Sequence, residues 1–377
     1  GITVPLETDL TTPLVCFMST PEAQLMPTLG LVRPDELLKT VPKEKDSPKS
    51  TRIIKGMYMM EPYDPNRIPV VLIHGLWSSP FTWMEMFNSL RSDETIRKKY
   101  QFWFYFYPSG QPFWVSAAQL RDDLREVRHT LDPQKQIASF DEMVLVGHSM
   151  GGLIARLQVM SAQDHFWNRV STVPFDQTKL EQDTRSELSK WFFFEPNPSV
   201  RRIVTIATPF EGSRAANSVS QWFAQRMISI PGQLTHVIRS FTSSDNGYLS
   251  KDSLLEVKTS VESLSPECPV YQAMAASRIS GNVACNNIVG VWHEDSAWPM
   301  RPKPGDGVVE IESAHRTDVE SEAVVQAPHM QIHMHPATIL ETRRVLLEHL
   351  RVMRSEQAGN RPTGGQVFAS QPQAEWR

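Results

Sequence analysis

A serine set between glycines, with an aspartate and several histidines further along the chain, is the material of nucleophilic acyl transfer. Gly147-His148-Ser149-Met150-Gly151 is a G-x-S-x-G pentapeptide. Apolar Val144, Leu145 and Val146 precede it as a short buried strand, and Gly151 to Leu157 reads as the start of a helix. A strand that turns sharply into a helix forces its middle residue into strained backbone. The flanking glycines let the chain approach without Cβ clashes. The turn would project the Ser149 hydroxyl beside the positive end of the new helix. A serine hydroxyl is inert near neutral pH until a base takes its proton. A base, an orienting acid and an oxyanion site must therefore come from elsewhere in the chain.

The chain order expected of such a strand–turn–helix nucleophile is serine, then acid, then histidine, with the last two on loops after late strands. Gly305-Asp306-Gly307-Val308-Val309 offers Asp306 on a loop that glycine keeps open, and Asp295 in "HEDSAW" is its rival. For the base, "APHMQIHMHP" offers His329, His333 and His335. His329 comes directly after an apolar strand, whereas His333 and His335 lie nearer the helix-starting Pro336, so His329 is preferred. Three close histidines also suit a metal, but no Cys, Asp or Glu stands at ligand spacing, and neither metal nor cofactor is expected. His74-Gly75-Leu76-Trp77-Ser78-Ser79-Pro80 follows the first predicted strand and suits an oxyanion loop. The Leu76 and Met150 amides are the candidate donors, and His74 reads as a residue that braces the loop.

The elements that must position these groups alternate. Apolar strands are predicted at Ile68–Ile73, Gln101–Tyr107, Val144–Val146, Ile203–Ala207, Ile288–Trp292 and about Ala323–Gln326. From Ser116 the residues Ala117, Leu120, Leu124, Val127 and Leu131 form one helical stripe that Asp132-Pro133 ends, and a final helix starts at Pro336. Strands alternating with helices predict an α/β protein with a mostly parallel central sheet and helices on both faces. Residues 1–60 read as a proline-punctuated, irregular arm, 61–354 as the domain, and 355–377 as a polar, disordered tail. Insertions at about 161–200 and 210–287 interrupt the alternation. They carry Phe166, Trp167, Trp222, Phe223, Met227 and the "WFFFEPNP" cluster, which suit either ordinary helical packing or a cap over the nucleophile. In the second reading Phe166 and Trp167, with Trp77 from the oxyanion loop, line an apolar substrate slot.

Composition narrows the classes. In 377 residues, 38 basic against 42 acidic side chains leave a formal charge of −4, which argues against nucleic acid as a partner. The aromatic run "QFWFYFY" has no interleaved Lys or Arg and reads as buried strand rather than a base-stacking platform. No apolar run is long enough to span a bilayer. Three cysteines, Cys16, Cys268 and Cys285, are too few for a disulfide framework, although a Cys268–Cys285 bridge is open. The opening Gly1 reads as a processing product, and bulky Val15 before Cys16 argues against lipidation there. Localisation stays open between soluble, exported and envelope-associated, and so do peripheral membrane contact and oligomeric state.

Five motifs give the chain a family likeness: "VVLIHGLWSSP", "VLVGHSMGG", "IATPFEGS", "GDGVVEIESA" and "HMQIHMHPATI". Over roughly Ile68 to Met353 it resembles the α/β-hydrolase superfamily, specifically serine lipases and esterases related to the GPI-inositol deacylase-like group. The resemblance implies an α/β-hydrolase fold with a helical cap, and the roles of nucleophile, acid and base for Ser149, Asp306 and His329. It departs at Phe210 and Glu211, where many relatives carry a histidine and then a basic residue, a difference that bears on substrate rather than catalysis. The implied reaction is hydrolysis of a small-molecule or lipid carboxylic ester through an acyl-enzyme. Acyl transfer to another alcohol, and a catalytically silent binding module on the same fold, are the rival classes.

Overall fold

Long apolar runs with no polar face must be covered on both sides, and that requirement shapes the molecule. In the computed structural model, which describes residues 55–76, 78–214, 241, 249–250, 252–292 and 304–357, the strands include these runs. In chain order they are β1 (Gly56–Met59), β2 (Ile68–Ile73), β3 (Tyr100–Phe106), β4 (Met143–His148), β5 (Met160–Ser161), β6 (Val200–Ile206), β7 (Arg278–Ile279), β8 (Ala284–Val291) and β9 (Ser321–Gln326). The helices are α1 (Met84–Ser92), α2 (Glu94–Lys99), α3 (Phe113–Leu131), α4 (Met150–Arg156), α5 (Gln182–Phe192), α6 (Ser260–Ser263), α7 (Val270–Ala276), α8 (Ile311–Ala314) and α9 (Pro336–Gln357).

Seven strands make the main sheet in the order β1-β3-β2-β4-β6-β8-β9. Every pairing in it is parallel except that of β1 with β3. The period-two alternation of β2 divides the core. Val71 and Ile73 pack with Trp103, Tyr105 and Leu145 on one face, beneath α3 and α4. Val70 and Leu72 pack with Phe102, Phe104 and Val144 on the other, beneath α1, α2 and α9. Each such large side chain taken from water contributes about 1.5–3 kcal/mol. The aromatic run of β3 is thus core on both faces. This is an α/β-hydrolase fold.

Helix ends follow their residues. The Asp93 carboxylate caps α2, accepting from the amides of Thr95 at 2.8 Å and Ile96 at 3.1 Å. Beyond the end of α3 the Asp132 carboxylate accepts from the amides of Gln136 at 2.8 Å and Ile137 at 3.1 Å, which turns the chain after the helix. At α9 the His335 Nδ1 accepts from the Ala337 amide at 3.2 Å, so this histidine is a helix-start group.

Several boundaries differ from the sequence reading. β1 lies inside the stretch read as an irregular arm, because Gly56–Met59 pairs antiparallel with Phe106–Trp103. α3 starts at Phe113 rather than Ser116, and α9 continues to Gln357, past the expected start of the tail. β8 begins at Ala284, within the stretch read as insertion. At the edge of the first stretch read as an insertion, Met160 pairs with Ile279 and Ser161 with Arg278 of the second, making the small β5–β7 sheet. Cys268 and Cys285 are separate, buried free thiols, so the open bridge is not made. Burial pushes the Cys268 thiol up to about 12 and the Cys285 thiol up to about 11. Among the described residues no helix is long and apolar enough to cross a membrane.

Candidate active site

Parallel pairing of β2 with β4 sets Ile73 level with Gly147, so the loops leaving the two strands start side by side. A Cβ placed on Gly75 would stand 3.1 Å from the Ser149 Cβ and 3.2 Å from the His148 Nδ1. The segment read as an oxyanion loop therefore runs against the turn that carries Ser149. His74 braces it. Its ring is stacked 4.4 Å from Tyr107, and its Nδ1–H donates to the Gly75 carbonyl at 2.8 Å. Burial pulls the His74 imidazole down to about 4 and keeps it neutral.

Ser149 has φ 55° and ψ −124°, outside the basins that L residues favour. Such backbone costs about 1–3 kcal/mol and persists only where its surroundings hold it. Here the Ser149 amide donates to the Ile206 carbonyl at 2.8 Å, and its own carbonyl accepts from Gly152 at 2.9 Å. A Cβ on Gly147 would overlap the Gly151 backbone, and one on Gly151 would overlap the Ile73 carbonyl. The glycines of the pentapeptide thus answer to close backbone approach. Met150 is the first residue of α4, so its amide has no carbonyl one turn behind it.

Asp306 lies beyond β8, 2% exposed. Its Oδ1 accepts from the amides of Val308 at 3.0 Å and Val309 at 2.8 Å. The loop after β6 braces this segment, with the Ser213 hydroxyl donating to the Val308 carbonyl and Ser313 Oγ donating to Gly212 at 2.6 Å. Asp306 Oδ2 accepts from His329 Nδ1–H at 2.7 Å, and His329 Nε2 lies 2.9 Å from Ser149 Oγ. A carboxylate can only accept, so Nδ1 carries the proton in the neutral ring and Nε2 faces the serine as acceptor.

The structure thus brings Ser149, Asp306 and His329 together, with Leu76 and Met150 on the adjoining turns. The rival His333 is placed otherwise. Its Nε2 bonds the Thr82 hydroxyl and its ring meets Trp83 edge-on at 5.7 Å. Burial, with His329 beside it, lowers His333 to about 4. Trp77, Asp295, Trp222, Phe223 and Met227 lie outside the described residues. Phe166 and Trp167 are not brought to the serine. Phe166 packs against Phe194 with centroids 5.1 Å apart, and Trp167 sits among Phe175, Phe192, Phe193 and Phe241 with its indole N–H donating to Val173 at 2.8 Å. They are core residues, which corrects the substrate-slot assignment. Among the described residues no group of three or more His, Cys, Asp or Glu is arranged to hold a metal ion.

Sequence reasoning passed over His148. It sits next to Ser149, 3% exposed, and its Nε2–H donates to the His329 carbonyl at 3.0 Å. Its ring lies 4.5 Å from that of His333. Burial, then the neighbouring His333 and His329, drives its pKa well below the usual imidazole range. The type of residue was visible within the pentapeptide, but its partner stands 181 positions away.

Residues 70–342 match the model of the alpha/beta hydrolase family. No curated protein matches the chain. Among solved structures it is similar to the mature form of Bacillus licheniformis lipase BlEst2, with 16% identity, coverage of 77% of this chain and 97% of that one, and a TM-score of 0.44. Lipase 1 from Pelosinus fermentans shares 13% identity over 75% of this chain and 98% of that one, at a TM-score of 0.45. EstA from Clostridium botulinum shares 14% over 88% and 94%, at 0.42.

Proposed function

We infer the reaction from one premise: the chain belongs to the alpha/beta hydrolase family. We propose that it hydrolyses carboxylic esters through an acyl-enzyme, with Ser149 as nucleophile, His329 as general base and Asp306 as the residue that orients the imidazole. The observation that carries this reading is the unbroken relay from Asp306 Oδ2 to His329 Nδ1 at 2.7 Å and from His329 Nε2 to Ser149 Oγ at 2.9 Å. As Ser149 Oγ attacks the ester carbonyl, His329 Nε2 takes its proton, and the buried carboxylate stabilises the imidazolium that forms. The imidazolium then protonates the leaving alcohol, and water repeats the cycle on the acyl-serine. The Leu76 and Met150 amides receive the tetrahedral oxyanion, each donor worth about 2.7–4 kcal/mol.

Ser149 is only 7% exposed, so the reacting carbonyl enters an enclosed, water-poor site where those amides act at full strength. The acyl or alkyl part of the substrate is apolar in this reading. Two exposed apolar side chains sit on the loops of acid and base: Trp292, 46% exposed with its amide bonded to Gly305, and Met330, 59% exposed next to His329. They would meet the substrate outside the reacting centre, or the lipid surface from which it comes. Kinship with the GPI-inositol deacylase-like lipases is proposed on the five motifs quoted above.

Ser149→Ala tests the proposal. The variant should fold with a wild-type melting temperature, turn over no p-nitrophenyl ester, and lose labelling by a fluorophosphonate probe. Ester hydrolysis near the wild-type rate in Ser149→Ala would overturn it.

A further inference from the structure

The base residue of the relay is held by more than its ring. Its amide donates to the Asp306 carbonyl at 2.9 Å, while its carbonyl accepts from His148 Nε2–H at 3.0 Å. The peptide of His329 is therefore strung between the residue of the acid and the neighbour of the nucleophile. No backbone amide among the described residues donates to the His329 carbonyl in place of His148. The other ring nitrogen of His148, Nδ1, is buried without a partner, and it lies against Gly75, whose added Cβ would stand 3.2 Å away. With no acceptor for a proton at Nδ1, the ring is held as the neutral Nε2–H tautomer, the one that donates to the His329 carbonyl.

We propose that His148 is a positioning residue for ester hydrolysis: its Nε2–H fixes the His329 carbonyl and so holds the catalytic imidazole in reach of Ser149. The inference rests on the Ser149–His329–Asp306 reading and deepens it. The acid side of His329 is fixed twice, through ring and backbone, but among the described residues the nucleophile side has only the Oγ–Nε2 bond besides this one. The Oγ–Nε2 bond is broken and remade in every turnover. The His148 bond takes no part in proton transfer and keeps the distance between base and nucleophile while the proton moves. Its removal lets the loop after β9 drift away from the turn after β4. A misplacement of about 1 Å in such a site costs about a hundred-fold in rate.

The test compares His148→Leu, His148→Gln and His148→Asn with Ser149→Ala, measuring kcat and KM on a short p-nitrophenyl ester together with melting temperature. The Gln amide nitrogen reaches the place of Nε2, whereas that of Asn is too short. The expected result is a fall in kcat of ten- to a hundred-fold in Leu and Asn with little change in KM, and recovery of most of that loss in Gln. If His148→Leu fails to fold, the Gln–Asn pair carries the comparison. Equal kcat for Gln and Asn, or wild-type kcat in Leu, would overturn the positioning role while an inactive Ser149→Ala leaves the relay standing. Ester turnover by Ser149→Ala would remove both.

Discussion

Replacing the Asp306 carboxylate by an amide isolates what its charge and its lone pairs do for His329. Asp306→Asn keeps size and shape, and the fold dictates how the new side chain lies. The amides of Val308 and Val309 both point at Oδ1, so that position must stay an oxygen. The NH2 group is thereby directed at His329 Nδ1, where Oδ2 stood at 2.7 Å. Two donors cannot face one another, so the ring shifts its proton to Nε2 and presents that N–H to Ser149. The base is then blocked rather than displaced, and the imidazolium loses its counter-charge as well. A wrong tautomer of this kind costs about 10⁴-fold in kcat, or about 5.5 kcal/mol in the barrier of the chemical step. Stability changes much less, by about 1–2 kcal/mol, because the two backbone bonds persist with a neutral acceptor. Ester kinetics at pH 7.5 measure the first quantity, urea unfolding the second, and long-range ¹H–¹⁵N histidine spectra read the tautomer directly. Activity within ten-fold of wild type, with the proton still on Nδ1, would refute the reasoning.

Two further expectations come from the same residues. In Gly290→Ala the new Cβ would lie 2.7 Å from the Asp306 Cβ and 2.9 Å from the Ile332 Cδ1, so β8 pushes on the acid. Overpacking should cost about 1–3 kcal/mol, and kcat should fall further than that loss explains; wild-type kcat in a folded variant would contradict the close contact. His74 and His333 are held neutral at about 4, below the ordinary imidazole value, so the unfolded chain binds more protons between those limits. Their contribution to stability is complete above pH about 6.5 and is lost as pH falls toward about 4, each with a slope of up to about 1.4 kcal/mol per pH unit. Urea midpoints from pH 7 to 4 should show it, and His74→Asn, which keeps a donor for Gly75, should remove one proton's share. Parallel curves for wild type and variant would count against burial as the cause.

What could be read from the chain was local. The pentapeptide announces its turn because an L residue at φ 55° needs close-packed glycines two positions either side, and the need is written within five residues. β2 is apolar throughout, and β4, β6 and β8 each carry an apolar stretch, Met143–Val146, Ile203–Val204 and Ile288–Val291, that a parallel sheet covered on both faces accommodates. β1 escaped notice because Gly56-Met57-Tyr58-Met59 is a half-buried edge strand with no alternation, defined only by its pairing with β3. Phe166 and Trp167 suited core or slot equally by type. Their partners at Phe194 and Phe241 decided for the core, and no pattern near residue 166 names them.

The choice between His329 and His333 shows the same limit from the other side. The two are chemically identical, four positions apart, and each meets a hydroxyl through Nε2, one at Ser149 and the other at Thr82. The distinction lies at Nδ1. His329 gives that proton to a carboxylate at 2.7 Å, whereas the His333 Nδ1 is buried without a partner. An imidazole that is to carry positive charge in a dry site must have its counter-charge already in place. Burial, with His329 beside it, makes His333 a poor base, holding it at about 4. The carboxylate reaches His329 and not His333 because the Asp306 carbonyl also takes the His329 amide, which fixes the loop after β9 against the loop after β8. Backbone pairing between those two loops, rather than histidine spacing, is what sets His329 and not His333 against the carboxylate.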